Sequence, residues 1–549
     1  MLCSRTGRSR WSDRSFTRNE RTTLARLEDV RTPLHPVARP VVAAVSALTA
    51  IALPLLVSIR ASAQTPTVDS PVSRPNVLLI VTDDQRWDTL DAMPIVEREL
   101  AGKGISFSDA FVSNPLCCPS RASILTGNYS HTTGVYRQTP PFGAFRSFRD
   151  TSTLATWLHD AGYRTGLFGK YIDAYQHHAL TGYVPPGWDR WLAFVHASYY
   201  DYVLTDDGEP WVHGHDPVTD YSTTVLGEAV EDFILSAPPD QPIFAEFAPA
   251  APHDPAIAEP EFGREFGGIP RWRPPSYDEP DISDKPSYMQ DLPRLSGDSV
   301  RWTDGLRRRQ YQTLQSVDRQ VGRILRALKV TGRLENTVIV FTSDNGLLWG
   351  EHRWTKKEVP YDEALHVPMI VRADSRGLAP RTDDQLVLNI DIAPTIADLA
   401  DVEHPATEGM SMAPLLADPR SPWRTDFLIE HMQGTNPVPS YCGVRSRTHK
   451  YVRYVTGERE LYDLETDPGE MVNVVDDPTM AADVGRLDAR LDELCDPAPP
   501  GMNETGSTPA AVALVGLAGL TGSAACWLRR ERSGRARPRG TSSPPRANR

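Results

Sequence analysis

Two runs of consecutive apolar, largely β-branched residues, each broken off by acidic residues, restrict this chain more than any other feature. Asn76-Val-Leu-Leu-Ile-Val-Thr82 runs into Asp83-Asp84, and Thr337-Val-Ile-Val-Phe-Thr342 into Ser343-Asp344-Asn345-Gly346. A run without polar alternation reads as a strand buried on both faces, which requires helices above and below a largely parallel sheet. Helical spacing supplies them. Leu314, Val317, Val321, Ile324, Leu325 and Leu328 form one stripe stopped by Gly332, and Leu154 and Leu158 form a shorter one stopped by Gly162. The shorter helix feeds a strand, Thr165-Gly-Leu-Phe-Gly, that ends at Lys170, and Ile243-Phe-Ala-Glu-Phe-Ala248 places His253 just beyond a fourth. The expected fold is α/β, a large mixed, mostly parallel sheet sandwiched by helices. Ligands of such sheets bind at the carboxyl ends of the strands, where Asp83, Asp84, Lys170, His253, Asp344 and Asn345 gather. Carboxylate and amide oxygens together form a hard donor set that suits Ca²⁺ or Mg²⁺ better than zinc, although each pair alone is more often a turn or cap.

At 549 residues and 40% hydrophobic, the chain can bury a large core and hold more than one domain. A net charge of −13 argues against nucleic acid as its partner, because neutralising phosphates takes a basic face. The ends differ from the middle. An Arg-rich leader precedes the apolar run Val41 to Ser58, and Ala61-Ser62-Ala63 is the small-residue pattern read by signal peptidases, so cleavage is expected after Ala63 unless the run stays as an anchor. Ala510 to Leu528 is about long enough to span a bilayer, and the six arginines between Arg529 and Arg539 would keep the tail cytoplasmic. Asn503-Glu-Thr-Gly-Ser-Thr-Pro509, just before it, resembles a degenerate wall-sorting signal of Gram-positive bacteria. Either reading attaches an exported protein to the cell surface, by membrane or wall. Cysteines are few: an exported chain could join Cys442 to Cys495, and no Cys/His spacing suggests zinc.

The densest chemistry lies in Asn114-Pro-Leu-Cys117-Cys118-Pro119-Ser120-Arg121-Ala-Ser-Ile-Leu-Thr126-Gly127. Pro119 suits the first turn of a helix, which sets Cys117 at a helix N-terminus, where free donors and the dipole favour an anion. Arg121, one turn on, is placed to stabilise charge at position 117 or to form a surface ion pair. Cys117 lies two residues before Pro119 and four before Arg121; Cys118 does not fit that spacing. This segment resembles the formylglycine signature of the sulfatase family, in which the cysteine is oxidised to an aldehyde whose hydrate is the nucleophile.

The resemblance runs from about residue 75 to 480. It implies an alkaline-phosphatase-like catalytic domain over 75–420, after a leader and signal peptide (1–63) and a linker (64–74). A smaller α+β C-terminal subdomain over 421–498 would follow, then a linker (499–509), the span 510–528 and the tail 529–549. By matching motifs, Asp83, Asp84, Asp344, Asn345 and modified Cys117 correspond to the ligands of Ca²⁺, with Mg²⁺ as a substitute. Lys170 matches the lysine on nucleophile and sulfate, His253 in Ala251-Pro-His253 a sulfate-contacting histidine, and Lys357, four residues before Tyr361, the second sulfate lysine. Lys170-Tyr171-Ile172-Asp173 lacks the family's usual histidine, a departure shared by the N-acetylglucosamine-6-sulfatase branch, and makes Asp173 a candidate base.

The implied activity is hydrolysis of a sulfuric ester, on a sulfated carbohydrate resembling N-acetylglucosamine 6-sulfate, after maturation by a formylglycine-generating enzyme. A phosphonate or phosphate ester hydrolase and a noncatalytic glycan-binding protein are the alternatives. His196-Ala-Ser-Tyr199-Tyr-Asp-Tyr202 and Arg271-Trp272-Arg273 are candidate pocket loops, residues 256–300 read as an extended insertion over the site, and His431 is as readily structural as functional.

Overall fold

In a computed structural model of the protein, residues 74–502 are described, and they belong to one compact unit. The leader, the run 41–58, the cleavage site after Ala63, the sorting-like segment 503–509 and the run 510–528 lie outside the described residues. Among the described residues no helix is long and apolar enough to cross a membrane.

The strands are β1 (Asn76–Thr82), β2 (Ile105–Phe107), β3 (Ala110–Phe111), β4 (Arg164–Gly169), β5 (Arg190–Phe194), β6 (Val203–Asp206), β7 (Glu209–Val212), β8 (Ile243–Ala248), β9 (Thr337–Ser343), β10 (Met369–Ala373), β11 (Arg381–Asp383), β12 (Val387–Leu388), β13 (Asp426–His431), β14 (Tyr441–Ser446), β15 (His449–Tyr454) and β16 (Arg459–Asp463). A ten-stranded sheet has the order β11-β2-β10-β9-β1-β8-β4-β5-β6-β7. Its centre, β9-β1-β8-β4-β5, is parallel, while β10, β6 and β7 run antiparallel to their neighbours. The sheet is therefore mixed and mostly parallel.

Strand β1 shows why an unbroken apolar run is needed. All seven of its residues are buried. Val77, Leu79 and Val81 pack into one core with Ala122, Ile124 and Leu125 of helix α1 (Cys117–Thr126), Leu154 and Leu158 of α2 (Leu154–Asp160) and Ile396. Leu78 and Ile80 point the other way, into a core with Val230 and Phe233 of α3 (Ser222–Leu235) and Leu314, Val317, Val321 and Ile324 of α4 (Gly297–Val330). Period-two alternation thus feeds two hydrophobic cores instead of one core and solvent.

Helix α4 extends well before its apolar stripe. It begins at Gly297, where the Ser296 hydroxyl accepts the Ser299 N–H at 3.1 Å, so the last four residues assigned to the 256–300 insertion open this helix. The rest of that segment is largely irregular and is fastened to the loop after β9, with Asp278 N–H on Gly350 O at 2.8 Å and His352 N–H on Ser276 O at 2.7 Å.

Strands β13-β14-β15-β16 form a four-stranded antiparallel meander. One face buries Phe427, Ile429, Tyr441 and Val452 against Val359, Tyr361 and Leu365 of the larger domain. The other packs Leu428, Val444 and Leu461 on Leu487 and Leu491 of α5 (Ala481–Leu494). A disulfide joins Cys442 on β14 to Cys495 at the end of α5, 53 residues apart. Closing a loop of that size restricts the unfolded chain. Replacing Cys442 with Ser should lower the unfolding free energy by about 2–4 kcal/mol, read by denaturant titration followed at the C-terminal tyrosines.

Candidate active site

The carboxyl ends of β1, β9, β4 and β8 converge, and backbone hydrogen bonds fix their relation. Asp344 N–H donates to Thr82 O at 3.1 Å, Asp83 N–H to Ala251 O at 3.1 Å and Lys170 N–H to Ala248 O at 2.7 Å. The last close approach requires Gly169: with φ of +128°, a Cβ there would lie 1.9 Å from the Ala248 carbonyl oxygen. Asp84 takes the left-handed region at φ +66°, and its N–H donates to Asp344 Oδ1 at 3.0 Å.

Helix α1 delivers Cys117 to this edge as its first residue, with the thiol buried. Its Sγ lies 2.7 Å from Lys357 Nζ, 3.6 Å from Asp83 Oδ1, 4.0 Å from Asp84 Oδ1 and 3.9 Å from Gln138 Nε2. Lys170 Nζ donates to Asp83 Oδ2 at 2.7 Å, and Lys357 also pairs with Asp84. Arg121 turns to Asp344 Oδ2 (2.8 Å) and the Lys170 carbonyl (3.1 Å), so its direct partners are the strand ends and not Cys117. His253 donates through Nδ1 to the Asp254 carbonyl at 2.7 Å, since that oxygen can only accept; Nε2 then faces Asp84 Oδ2 at 3.5 Å.

Burial would discharge these groups, and their mutual attraction prevents it. Burial raises Asp83, yet Lys170 and His253 bring it down to about 2; Lys357 pulls Asp84 down in the same way. Lys170 and Lys357 are held well above the usual lysine range, against the burial penalty, by Asp83 and Asp84. Burial pushes the Cys117 thiol far up despite both lysines, so an unmodified Cys117 keeps its proton and is a poor nucleophile.

Asp83, Asp84, Cys117 and His253 each offer a ligand atom within 4.8 Å of the others. Lys357 Nζ lies against Asp84 Oδ1 and Cys117 Sγ and 3.5 Å from Asn345 Oδ1, so these donors already surround a positive charge. A hard divalent cation fits Asp83, Asp84 and Asn345. His253, which the sequence assigned to sulfate, falls inside this group. Asp344, assigned as a ligand, accepts the Asp84 N–H at Oδ1 and Arg121 Nε at Oδ2, with Lys170 Nζ 3.9 Å away.

Other expected positions have different surroundings. Asp173 lies beside Cys118, not among the partners of Cys117, and its Oδ2 is buried and unpaired. Tyr199 is buried and its hydroxyl donates to the His253 carbonyl at 2.7 Å, a support for that histidine. Trp272 covers the Arg86 guanidinium at 5.1 Å, and Arg273 pairs with Asp304 at 2.8 Å. Sequence reasoning missed Gln138, twenty-one residues from Cys117 and carrying no motif.

Residues 75–402 match the family model described as Sulfatase, and residues 350–496 match that described as N-sulphoglucosamine sulphohydrolase, C-terminal. The chain belongs to the sulfatase family. It is 34% identical over 386 residues to N-acetylglucosamine-6-sulfatase of Homo sapiens, covering 67% of this chain and 69% of that protein. It is also 34% identical over 371 residues to the extracellular sulfatase SULF-1 homolog of Drosophila melanogaster, covering 65% of this chain and only 33% of that protein. A solved structure described as a complex with its substrate D-glucosamine-2-N,6-O-disulfate has a TM-score of 0.67 at 24% identity, covering 77% of this chain and 98% of that one. The phosphonate monoester hydrolase of Agrobacterium radiobacter has a TM-score of 0.61 at 24% identity, covering 77% and 95%. At these identities the likeness to the solved structures is one of fold.

Beneath this sulfatase-family site, Glu246 on β8 is buried between Leu79 and Leu167, with Oε2 unpaired. Burial pushes it up to about 7, and Arg121 offsets this only partly. From its ordinary value of 4.5 to about 7 the folded state holds a proton that the unfolded chain releases, so stability falls as pH rises through that window. Glu246→Gln should be near neutral at pH 4 and stabilising by up to about 3 kcal/mol at pH 8. Denaturant unfolding at both pH values checks this; an equal difference at the two would contradict it.

Proposed function

We propose that this chain is an exported sulfuric-ester hydrolase that uses a nucleophile made from Cys117 and acts on a sulfated carbohydrate. The observation that carries the reading is a buried cysteine at a helix N-terminus enclosed by Asp83, Asp84, Lys170 and Lys357. The three carboxylates Asp83, Asp84 and Asp344 balance the three permanent cations Arg121, Lys170 and Lys357. A divalent cation added to that set leaves two positive charges for an anionic ester, and Ca²⁺ held by Asp83, Asp84 and Asn345 supplies polarisation of the ester's oxygens. Oxidised to formylglycine by a generating enzyme and hydrated, residue 117 supplies one hydroxyl oxygen that bonds to sulfur as the alcohol leaves, and its second hydroxyl then gives up a proton and expels sulfate as the aldehyde re-forms.

The chain's own groups do the rest. Lys357, 2.7 Å from the residue 117 side chain, and Lys170, on Asp83, oppose negative charge developing on nucleophile and sulfur oxygens. Arg121 acts through Asp344 and the strand-end carbonyls as a positioning residue. His253 is 40% exposed, turns Nε2 toward the site, and when protonated donates to the departing alcohol.

The carbohydrate class rests on relatives. Besides the human enzyme, the N-acetylglucosamine-6-O-sulfatase of Bacteroides thetaiotaomicron is 27% identical over 500 residues, covering 77% of this chain and 86% of that protein. Export is supported by the Cys442–Cys495 disulfide and by the extracellular sulfatases among the relatives. The run Ala510 to Leu528 with its following arginines is our candidate for surface retention.

Mass spectrometry of the tryptic peptide Gly104–Arg121 from protein made in its native host should show Cys117 converted to the aldehyde; an intact thiol would point to a binding protein. Assayed side by side on aryl sulfate and aryl phosphonate esters, the enzyme should prefer the sulfate. Lys357→Ala should lower kcat about 10²–10³-fold on that substrate. Ca²⁺ should raise the thermal midpoint of the chelator-treated protein, by about 2.7 kcal/mol of stability at a hundred times its Kd, and Asp84→Asn should remove that rise.

A further inference from the structure

The residue after Lys357 has no place in the chemistry above. Glu358 puts a carboxylate beside a lysine meant for an anion, and it is not that lysine's counterion, since Lys357 Nζ is engaged by Asp84 and Cys117. Its backbone is left-handed, at φ +78°, a conformation unfavourable for a side chain of this size. Two hydrogen bonds hold it there: Glu358 N–H on Pro115 O at 3.1 Å, next to the cysteine motif, and the Tyr441 hydroxyl on the Glu358 carbonyl at 3.0 Å. Backbone strain held in place by its surroundings is found at active sites and ligand clamps.

The carboxylate is itself aimed. Asn436 Nδ2, from the loop between β13 and β14, donates to Oε1. Oε2 meets only His431 Nε2, at 3.8 Å, and the side chain keeps 10% exposure. His431 is fully buried, neither ring nitrogen has a hydrogen-bond partner, and burial brings it down to about 3, so it backs Glu358 as a neutral ring. The same loop is tied to the rim of the cysteine site, with Arg137 Nη1 donating to Gln433 O at 2.9 Å and Gln138 next in sequence. One carboxylate, fixed through Oε1 by Asn436 and backed at Oε2 by His431, therefore stands on the residue next to the lysine that would bind the sulfate.

We propose that Glu358, oriented by Asn436 and backed by His431, is the specificity-determining acceptor for a free sugar hydroxyl adjacent to the scissile sulfate, and that it excludes sugars carrying a second anion there. The proposal rests on the sulfated-carbohydrate reading given above. A carboxylate accepts a hydroxyl hydrogen bond strongly and repels a sulfate in the same place. The second subdomain thereby contributes to substrate choice through Asn436 and His431.

The test compares wild type, Glu358→Ala and Glu358→Gln on glucosamine 6-sulfate, its 4-deoxy analogue, its 4,6-disulfate and 4-nitrophenyl sulfate. Glu358→Ala should lower the ratio of kcat/KM on glucosamine 6-sulfate to that on the aryl ester by about ten- to a hundred-fold. It should cost nothing further on the 4-deoxy analogue. Glu358→Gln, which keeps an acceptor and loses the charge, should restore most of the ratio and raise turnover of the 4,6-disulfate above wild type. Equal losses on glucosamine 6-sulfate and its deoxy analogue would overturn the proposal, leaving Glu358 a prop for Lys357. Calorimetric binding of glucosamine 6-sulfate in a Cys117→Ala background, with and without Glu358→Ala, separates the two claims. Absence of sulfate-ester turnover in wild type overturns the hydrolase reading alone, whereas sugar binding that is absent or indifferent to Glu358 overturns this one.

Discussion

The buried ion pair between Arg121 and Asp344, 2.8 Å long and almost without solvent exposure, is the contact on which the rest of the site depends. Arg121 comes from the helix that carries Cys117, and Asp344 from the end of β9. The other Arg121 donors reach the carbonyls of Lys170 and Thr82, so one guanidinium joins the helix that carries Cys117 to the ends of three strands. Removing either partner would strand a charge in the interior, a loss of about 3–5 kcal/mol, while its planar fork fixes direction as well as distance. Asp344 in turn accepts the Asp84 N–H and sets the left-handed turn that presents Asp84 to Lys357.

Charge neutrality explains why so many ionised groups are tolerated in so small a volume. Each carboxylate has a cation within 3 Å, and burial strengthens these attractions even as it penalises each charge singly. A site balanced in this way needs an added cation to favour an anion, which gives the clustered oxygens a purpose beyond pairing lysines. Glu246, just below, lies outside this balance: it has no direct counterion, and its burial penalty remains.

Much of this was legible because it is local. Strand ends follow from where apolar runs stop, and Cys117, Pro119 and Arg121 sit at fixed offsets on one helix, so Asp83, Asp84, Lys170, Asp344 and Cys117 could be brought to one edge from the sequence. The partners of those residues were less legible. Arg121 reads as reaching back to Cys117, since sequence spacing shows a neighbour one turn away and hides the Asp344 carboxylate 223 residues distant. Helix α4 reads short because its first turns carry Arg301, Asp304, Arg307 and Arg308, with no stripe to mark them. Asn436 and His431 meet Glu358 only through the packing of the meander on the larger domain, and no local pattern encodes that contact.

Asp84 and Glu358 are both non-glycine residues in the left-handed region, each a strain of about 1–3 kcal/mol. Both have their N–H groups satisfied by fixed acceptors, Asp344 Oδ1 and Pro115 O, which belong to the site itself. The strain is thus offset by hydrogen bonds that also set the site's geometry, and relaxing either residue would withdraw a carboxylate from its place. A backbone so constrained leaves little room for the floor of the pocket to adapt to different esters. Under the proposed role of Glu358, selectivity among them comes from side chains at the rim, where the meander's loop meets the residue following Lys357.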